Sequence, residues 1–273
     1  MTYQANIQTG KRENPLTGLF RRKSKNLLSI YLTAGFPYKD STIRVIHSLQ
    51  AAGTDFLEVG FPFSDPLADG PVIQHTSQQA IKNGMSLNLL LDQLKEARND
   101  IRIPLVLMGY MNPVMQTGME VFCRKANEAG ISGIILPDLP LQEYENKYRK
   151  LFRQYNLHMI FLVTPETDSG RIKKIDSLGS GFIYAVSSSS TTGRKDSFSS
   201  AQISYLKRLN SMKLQNPVMT GFGIHNENTL RTVWKYSSGA IIGTAYLRYL
   251  MNSQNEEEAI NLLLRQLGLT DHR

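Results

Sequence analysis

Three acidic residues lie close together where an apolar segment gives way to a proline-rich one. Glu58 lies within 56-FLEVG-60, and Asp65 and Asp69 follow within 61-FPFSDPLADGP-71. A carboxylate in an apolar strand is unfavourable unless it is paired or used, and the prolines restrict the segment that carries the other two acids. Acids in this setting are candidates for general acid–base catalysis. A buried salt bridge and an ordinary turn capped by aspartate are the structural alternatives.

Other catalytic chemistries find little support in the sequence. Cys123 is the single cysteine, so neither an intramolecular disulfide nor a cysteine-based metal site is possible. The histidines do not pair at metal-ligand spacing, and we find no P-loop and no nucleophile-elbow motif. General acid–base catalysis is therefore the mode that the sequence favours.

Two short glycine motifs, 221-GFGI-224 and 243-GTA-245, follow the last two apolar runs. Their glycines would let backbone N–H groups approach phosphate oxygens, and Thr244 would add a hydroxyl group. A dinucleotide fingerprint is excluded, because its third glycine would fall at Asn226. The long polar segment 187-SSSSTTGRKDSFSS-200 fits a lid over a phosphorylated substrate and equally fits a plain surface loop.

Short apolar runs must position these residues, and they alternate with helical patterns along the whole chain. Eight such runs occur: 27–34, 54–60, 103–109, 131–137, 157–163, 181–186, 217–221 and 239–243. Eight strand–helix units predict an α/β protein with a single (β/α)8 TIM barrel, an extra N-terminal helix and a short phosphate-binding helix after strand eight. We predict one domain over 1–273, with residues 1–13 as a loose tail. An open doubly wound sheet is the alternative, but 33-TAGFP-37 is a poor phosphate loop.

Composition and charge exclude several classes of protein. The chain has 273 residues and a formal net charge of +8, but its basic residues are scattered and lack a nucleic-acid-binding pattern. No apolar run reaches the roughly 18 residues of a membrane span, and the N-terminus lacks the apolar region of a signal peptide. We therefore expect a cytoplasmic protein with neither a nucleic-acid nor a membrane partner.

The segment 58-EVGFPFSDPLADGPVIQ-74 closely resembles the signature of the tryptophan synthase α chain family. Further matching blocks occur in the same order: 33-TAGFP-37, 104-PLVLMGYMNP-113, 135-ILPDLP-140, 221-GFGI-224 and 239-GAIIGTA-245. The resemblance runs from about residue 15 to about residue 267.

The resemblance implies a lyase that performs a retro-aldol cleavage of indole-3-glycerol phosphate into indole and glyceraldehyde 3-phosphate. Glu58 matches the family residue that moves protons at indole C3 and at the glycerol hydroxyl. Asp69 matches the carboxylate that stabilises positive charge developing on the indole nitrogen, which is an electrostatic form of catalysis.

Other positions match the family's pocket, lid and interface. Tyr184 matches a tyrosine near the catalytic glutamate, and the indole-pocket wall corresponds to Tyr31, Ile73, Met108 and Ile135. The lid and phosphate positions correspond to Thr192, Gly193, Gly223, Gly243 and Thr244. The family implies a partner, a β chain that carries pyridoxal phosphate and consumes indole in an α2β2 heterotetramer, and positions near that interface correspond to Asp65, Pro66 and Asp138. The resemblance implies no cofactor or metal in this chain itself.

The sequence departs from the family pattern in two of these segments. In the lid, Ser190 replaces a glycine and Thr191 replaces a valine, and Thr244 replaces the usual serine. Ser190 could stiffen the lid, because glycine permits backbone dihedral angles that serine rarely adopts. A stiffer lid would affect lid closure and turnover rather than the chemistry. The altered lid suggests one alternative to the lyase, a catalytically weak α-like activator of a β chain. A second alternative is a different phosphate-binding barrel, such as a sugar-phosphate isomerase or epimerase, because barrels host many chemistries.

Overall fold

Eight parallel strands in the described residues close into a barrel in chain order, with the first strand beside the last. The structure of the protein is a computed structural model that describes residues 13–66, 69–186 and 197–269. The strands are β1 (Leu27–Thr33), β2 (Phe56–Gly60), β3 (Leu105–Met108), β4 (Ile131–Ile135), β5 (His158–Val163), β6 (Ile183–Ala185), β7 (Val218–Thr220) and β8 (Gly239–Ile242). Each coincides with a predicted apolar run, so the (β/α)8 TIM barrel is confirmed and the open sheet is wrong.

Helices follow the strands and cover the outside of the barrel. They are α1 (Pro15–Arg22), α2 (Ser41–Ala51), α3 (Pro71–Lys82), α4 (Leu87–Glu96), α5 (Met111–Thr117), α6 (Met119–Glu128), α7 (Leu141–Glu143) continued by a π-helical turn (Tyr144–Tyr148), α8 (Arg149–Gln154), α9 (Ser169–Leu178), α10 (Ser200–Ser211), α11 (Glu227–Tyr236), α12 (Thr244–Asn252) and α13 (Glu256–Gln266). The predicted extra N-terminal helix is α1, and the predicted helix after strand eight is α12.

The apolar strands are buried on both sides, which explains their continuous hydrophobic character. One side of each strand packs against the helices, in a layer that includes the buried thiol of Cys123 on α6. The other side fills the barrel interior, where Phe56, Ile135 and Ile160 belong to a separate cluster. No helix within the described parts of the chain is both long and apolar enough to span a membrane.

Helix α1 closes the N-terminal end of the barrel. Leu16 and Leu19 belong to the interior cluster. The Phe20 ring lies 6.3 Å from the Phe56 ring and 6.1 Å from the Phe182 ring, measured between centroids. Because apolar side chains fill this end, a site for a ligand is left to the C-terminal ends of the strands, where (β/α)8 barrels carry their chemistry.

Candidate active site

Glu58 occupies the middle of β2 beside Tyr31 of β1, its register partner, and is 1% exposed. The Tyr184 hydroxyl on β6 donates a hydrogen bond of 3.1 Å to Glu58 Oε2. The other oxygen, Oε1, is buried and has no hydrogen-bond partner among the described residues. The carboxyl group is therefore held through one oxygen, and the second is left without a partner among the described residues.

Asp176, a second buried acid, shows what a structural carboxylate looks like in this protein. Asp176 is 7% exposed. One of its oxygens accepts the backbone N–H of Gln215 at 2.7 Å and the other accepts that of Asn216 at 2.9 Å. Glu58 lacks comparable partners, and no ion pair within the described residues involves it. The buried salt bridge considered as an alternative for Glu58 is therefore not formed.

The environment of Glu58 favours its protonated form. Burial raises the pKa of Glu58 to about 8, the negative charge of Asp69 acts in the same direction, and the hydrogen bond from Tyr184 opposes them. A carboxyl group with this pKa carries a proton at neutral pH and can donate it.

Asp69 lies on the segment between β2 and α3, and α3 holds its backbone. The Gln74 side-chain amide donates to the Asp69 carbonyl at 2.9 Å and to the Pro66 carbonyl at 3.5 Å. The Asp69 N–H donates to the Pro66 carbonyl at 3.0 Å. These contacts fix the backbone from which the half-buried carboxylate projects.

The Asp69 carboxylate accepts a hydrogen bond from the Tyr110 hydroxyl, with 3.2 Å between Oδ2 and the hydroxyl oxygen. Burial raises the pKa of Asp69 to about 6, and the Tyr110 hydrogen bond opposes that rise. Asp69 is therefore mainly ionised at neutral pH, whereas Glu58 is protonated. Two nearby acids with separated pKa values are suited to different roles in one reaction.

The two carboxyl groups influence the ionisation of the same two tyrosines, Tyr31 and Tyr184. Burial raises the pKa of Tyr31 and of Tyr184 well above the ordinary value, and the charges of Glu58 and Asp69 raise both further. Both tyrosines therefore keep their protons, and their neutral hydroxyl groups can donate or accept hydrogen bonds. The four side chains form one electrostatically coupled group at the C-terminal end of the barrel.

The other residues predicted to line the indole pocket lie at this end of the barrel on three elements. Ile135 ends β4 and is buried in the interior cluster. Met108 ends β3, is half-buried and packs against both apolar clusters. Ile73 lies half-buried on the first turn of α3, four residues after Asp69.

Gly221 has a different role from the one that its glycine motif predicts. Its N–H donates to the Ala185 carbonyl at 3.0 Å, so it belongs to the backbone ladder and is not directed at a phosphate. A Cβ atom at Gly221 would overlap the Tyr184 ring. Gly60 gives room to Tyr31 in the same way. These glycines let two tyrosines cross the ends of neighbouring strands.

The other phosphate candidates lie in the segments after β7 and β8. Gly223 has a φ of +68°, in the left-handed region that favours glycine. Gly243 is the N-cap of α12 and offers no side-chain cap, and the exposed Thr244 begins the helix. The lid candidates Thr192 and Gly193 lie outside the described residues, as do the departures Ser190 and Thr191.

The three candidate interface residues differ in exposure. Asp65 and Asp138 are exposed, whereas Pro66 is buried. Both oxygens of the Asp138 carboxylate accept the Met111 N–H, each at 3.0 Å. Asp138 thus has a partner within this chain.

Sequence reasoning missed the contact of Tyr110 with Asp69. No pattern in the sequence connects Tyr110 with Asp69; the one available signal is that Tyr110 lies two residues after β3, at the end of a strand where barrel chemistry is concentrated. Among the described residues no cluster of three or more histidine, cysteine or acidic side chains could hold a metal ion.

The fold and this group of side chains define a (β/α)8-barrel protein with an acid pair suited to general acid–base chemistry. The sequence model of the tryptophan synthase alpha chain family matches residues 19–270. The tryptophan synthase alpha chain of Parabacteroides distasonis is 47% identical over 254 residues, which cover 93% of this chain and 99% of that one. The protein of that name from Christiangramia forsetii is 49% identical over 229 residues, covering 84% and 90% of the two chains.

Solved structures agree with these relatives. The alpha subunit from Legionella pneumophila superposes with a TM-score of 0.84 at 30% identity, covering 94% of this chain and 97% of that one. A chain of the tryptophan synthase complex from Pyrococcus furiosus gives a TM-score of 0.81 at 30% identity, covering 89% and 98%. The chain belongs to the tryptophan synthase alpha chain family. It is a lyase that cleaves indole-3-glycerol phosphate into indole and glyceraldehyde 3-phosphate, which excludes an isomerase or epimerase barrel.

Proposed function

We propose that Glu58 and Asp69 divide the work of this cleavage between a proton carrier and a fixed anion. The supporting observation is the state of Glu58, a buried carboxyl group with a pKa of about 8 and one oxygen without a partner among the described residues. Asp69, with a pKa of about 6, supplies the negative charge at the same end of the barrel.

In the proposed reaction, Glu58 first donates its proton to indole C3. The ring becomes iminium-like, and the Asp69 carboxylate stabilises the positive charge at the indole nitrogen. The Glu58 carboxylate then takes the proton from the glycerol hydroxyl next to the breaking bond. A carbonyl forms there, the carbon–carbon bond to C3 breaks, and its electron pair returns to the ring. Indole and glyceraldehyde 3-phosphate leave, and Glu58 is protonated as at the start.

The other assigned residues bind the substrate in this proposal. Tyr184 orients Glu58 by occupying its Oε2 atom and leaving Oε1 to the substrate. The indole ring lies among apolar and aromatic side chains, namely Tyr31, Ile73, Met108 and Ile135. The phosphate is bound at the segments after β7 and β8 and by the lid, through Gly223, Gly243, Thr244, Thr192 and Gly193, with the N-terminus of α12 as the anion site.

We further propose that indole passes to a β chain in the cytoplasm, in an α2β2 assembly, with Asp65, Pro66 and Asp138 near the contact. Among the solved relatives is a tryptophan synthase complex from Pyrococcus furiosus, which supports a partner of this kind. Pyridoxal phosphate belongs to that β chain, and the acid pair of this chain carries out its step without a cofactor.

The direct test is release of indole from indole-3-glycerol phosphate by the purified chain. Glu58→Gln removes the proton carrier and Asp69→Asn removes the anion, so each variant should lose at least about 100-fold in kcat. Asp92→Asn on the outer helix α4 is the matched control and should keep full activity, because that side chain is 61% exposed. Wild-type turnover in either site variant would refute its assigned role.

Adding a β chain distinguishes the lyase from the activator. We expect the β chain to increase indole release by the wild-type chain. If the chain released no indole and yet accelerated the β reaction, the activator interpretation would replace the proposed acid–base roles. Parallel measurement of both reactions on the same preparation decides between them.

A further inference from the structure

Tyr110 connects Asp69 to a neighbouring loop of the barrel. It lies between β3 and α5, and its hydroxyl donates to Asp69 Oδ2 at 3.2 Å. Its ring stacks on Phe63, with 5.1 Å between centroids and 29° between planes. Phe63 belongs to the same β2–α3 segment as Asp69. Tyr110 therefore holds both the carboxylate and the segment that carries it.

The backbone of Tyr110 is fixed in turn by Asp138. Tyr110 is the N-cap residue of α5, and its side chain makes no capping hydrogen bond. Asp138, on the loop after β4, accepts the Met111 N–H with both carboxylate oxygens at 3.0 Å. A carboxylate at a helix N-terminus satisfies a free N–H group and interacts favourably with the helix dipole. Asp138 thus caps α5 from a neighbouring loop, one residue away from Tyr110.

We propose that Asp138 is a positioning residue for the lyase reaction, holding Tyr110 on the Asp69 carboxylate by capping α5. This role lies within the chain and is separate from the interface position that the family resemblance implies for Asp138. It rests on the proposed function only in that Asp69 is the anion of the reaction. It predicts that a change at Asp138 alters the ionisation of a carboxyl group that Asp138 does not contact.

The direction of that change follows from the groups around Asp69. Those that face it are Tyr110 from the β3–α5 loop, Glu58 from β2, Tyr31 from β1 and Tyr184 from β6. Burial raises the pKa of Asp69, and the Tyr110 hydrogen bond opposes that rise. Loss of the hydrogen bond therefore raises the pKa further, and the anion forms only at higher pH.

The first experiment measures the pH profile of kcat/KM for indole release in the wild type, Tyr110→Phe, Asp138→Ala and the double variant. In Tyr110→Phe the acid limb should move up by about one pH unit. In Asp138→Ala it should move in the same direction by less, and the double variant should move no further than Tyr110→Phe. An additive shift in the double variant would mean that the two residues act independently and would overturn the proposal.

Asp168→Ala is the matched control. Asp168 caps α9 on the next loop of the barrel by accepting the Arg171 N–H at 2.9 Å, and it makes no contact with the acid pair among the described residues. This variant should lower the melting temperature about as much as Asp138→Ala and leave the acid limb in place. An equal shift in both variants would show a general effect of lost helix caps and would contradict a specific role for Asp138.

A second readout does not depend on turnover. Carbon-13 NMR of aspartate-labelled chain follows the Asp69 carboxyl group directly, with Asp69→Asn giving the assignment. The Asp69 titration should move to higher pH in Tyr110→Phe and in Asp138→Ala. A chain that releases no indole but shows these shifts would refute the proposed function and support the positioning role. An Asp69 titration unchanged in Asp138→Ala would refute the positioning role alone.

Discussion

In the proposed mechanism the chemistry depends on the protonated Glu58, and burying this carboxyl group lowers the stability of the fold at neutral pH. The folded chain holds this proton up to about pH 8, whereas the ordinary pKa of the side chain is 4.5. Stability from this group is therefore complete below pH 4.5 and declines as the pH rises towards 8. At neutral pH the raised pKa of Glu58 lowers the free energy of unfolding by about 3 kcal/mol. That is a large fraction of the stability of a typical domain.

Glu58→Gln should therefore stabilise the protein while it removes activity. Glutamine keeps an oxygen for the Tyr184 hydroxyl and has no charge to desolvate. We expect the free energy of unfolding at pH 8 to rise by about 4 kcal/mol relative to the wild type, and the difference to become small at pH 4.5. Urea denaturation at the two pH values measures this, with Asp92→Asn as the control. If the Gln variant were less stable than the wild type at pH 8, burial of the Glu58 carboxyl group would not destabilise the folded chain, and the prediction would be wrong.

The acid pair also predicts the pH dependence of the reaction. The proposed mechanism requires Asp69 ionised and Glu58 protonated, with pKa values of about 6 and about 8. The profile of kcat/KM should therefore be bell-shaped, rising through the first value and falling through the second. A flat profile from pH 5 to pH 9 would show that these two ionisations do not control the rate.

At the scale of elements, the strand ends are shaped to admit large side chains. Tyr31 and Tyr184 reach the acid pair only because Gly60 and Gly221 on neighbouring strands lack a Cβ atom. A closed barrel can hold two tyrosines at its mouth when glycines lie opposite them, because the interior has little free volume.

Gly221→Ala should displace Tyr184 from Glu58. We expect kcat to fall about tenfold or more, and the alkaline limb of the pH profile to move upward, because the Tyr184 hydrogen bond lowers the pKa of Glu58. The control is Gly18→Ala on α1, where an added Cβ would meet only the flexible ends of two charged side chains. Normal kinetics in Gly221→Ala would show that the tyrosine tolerates the methyl group and that its position is not set by this glycine.

At the scale of the whole molecule, α1 closes one end of the barrel and leaves the chemistry to the other. The Asn14 side chain fastens this closure. Its amide donates to the carbonyls of Ser132 at 2.9 Å and Asn156 at 2.7 Å, while its oxygen accepts the Leu16 N–H at 2.9 Å. One side chain thus joins the helix, β4 and the residues before β5.

Asn14→Ala should destabilise the fold without touching the site. Losing a helix cap and two hydrogen bonds, one to a buried and one to a half-buried carbonyl, should lower the free energy of unfolding by about 2–3 kcal/mol. Asn255→Ala, which removes only a cap on α13, should cost about 1 kcal/mol. Urea denaturation compares the two, with kcat expected to be unchanged in both. If Asn14→Ala lowered the free energy of unfolding no more than Asn255→Ala, the hydrogen bonds from Asn14 to Ser132 and Asn156 would contribute nothing to stability.

Local patterns in the sequence determined the eight strands, the closing helix and the family to which the chain belongs. Buried parallel strands are continuous apolar runs, and the segment 58–74 is distinctive enough to identify the family and to predict the acid pair Glu58 and Asp69. Such features depend on residues that are near one another in the chain, so they can be read before the fold is known.

Only the tertiary structure decided how distant segments meet. It revealed that Tyr110 holds Asp69, that Asp138 caps the helix after Tyr110, and that Gly221 makes room for Tyr184 rather than for a phosphate. It also separated the two acids by protonation state, because the pKa of a buried group depends on everything packed around it. Each of these contacts joins different βα units, and barrel closure is what brings them together.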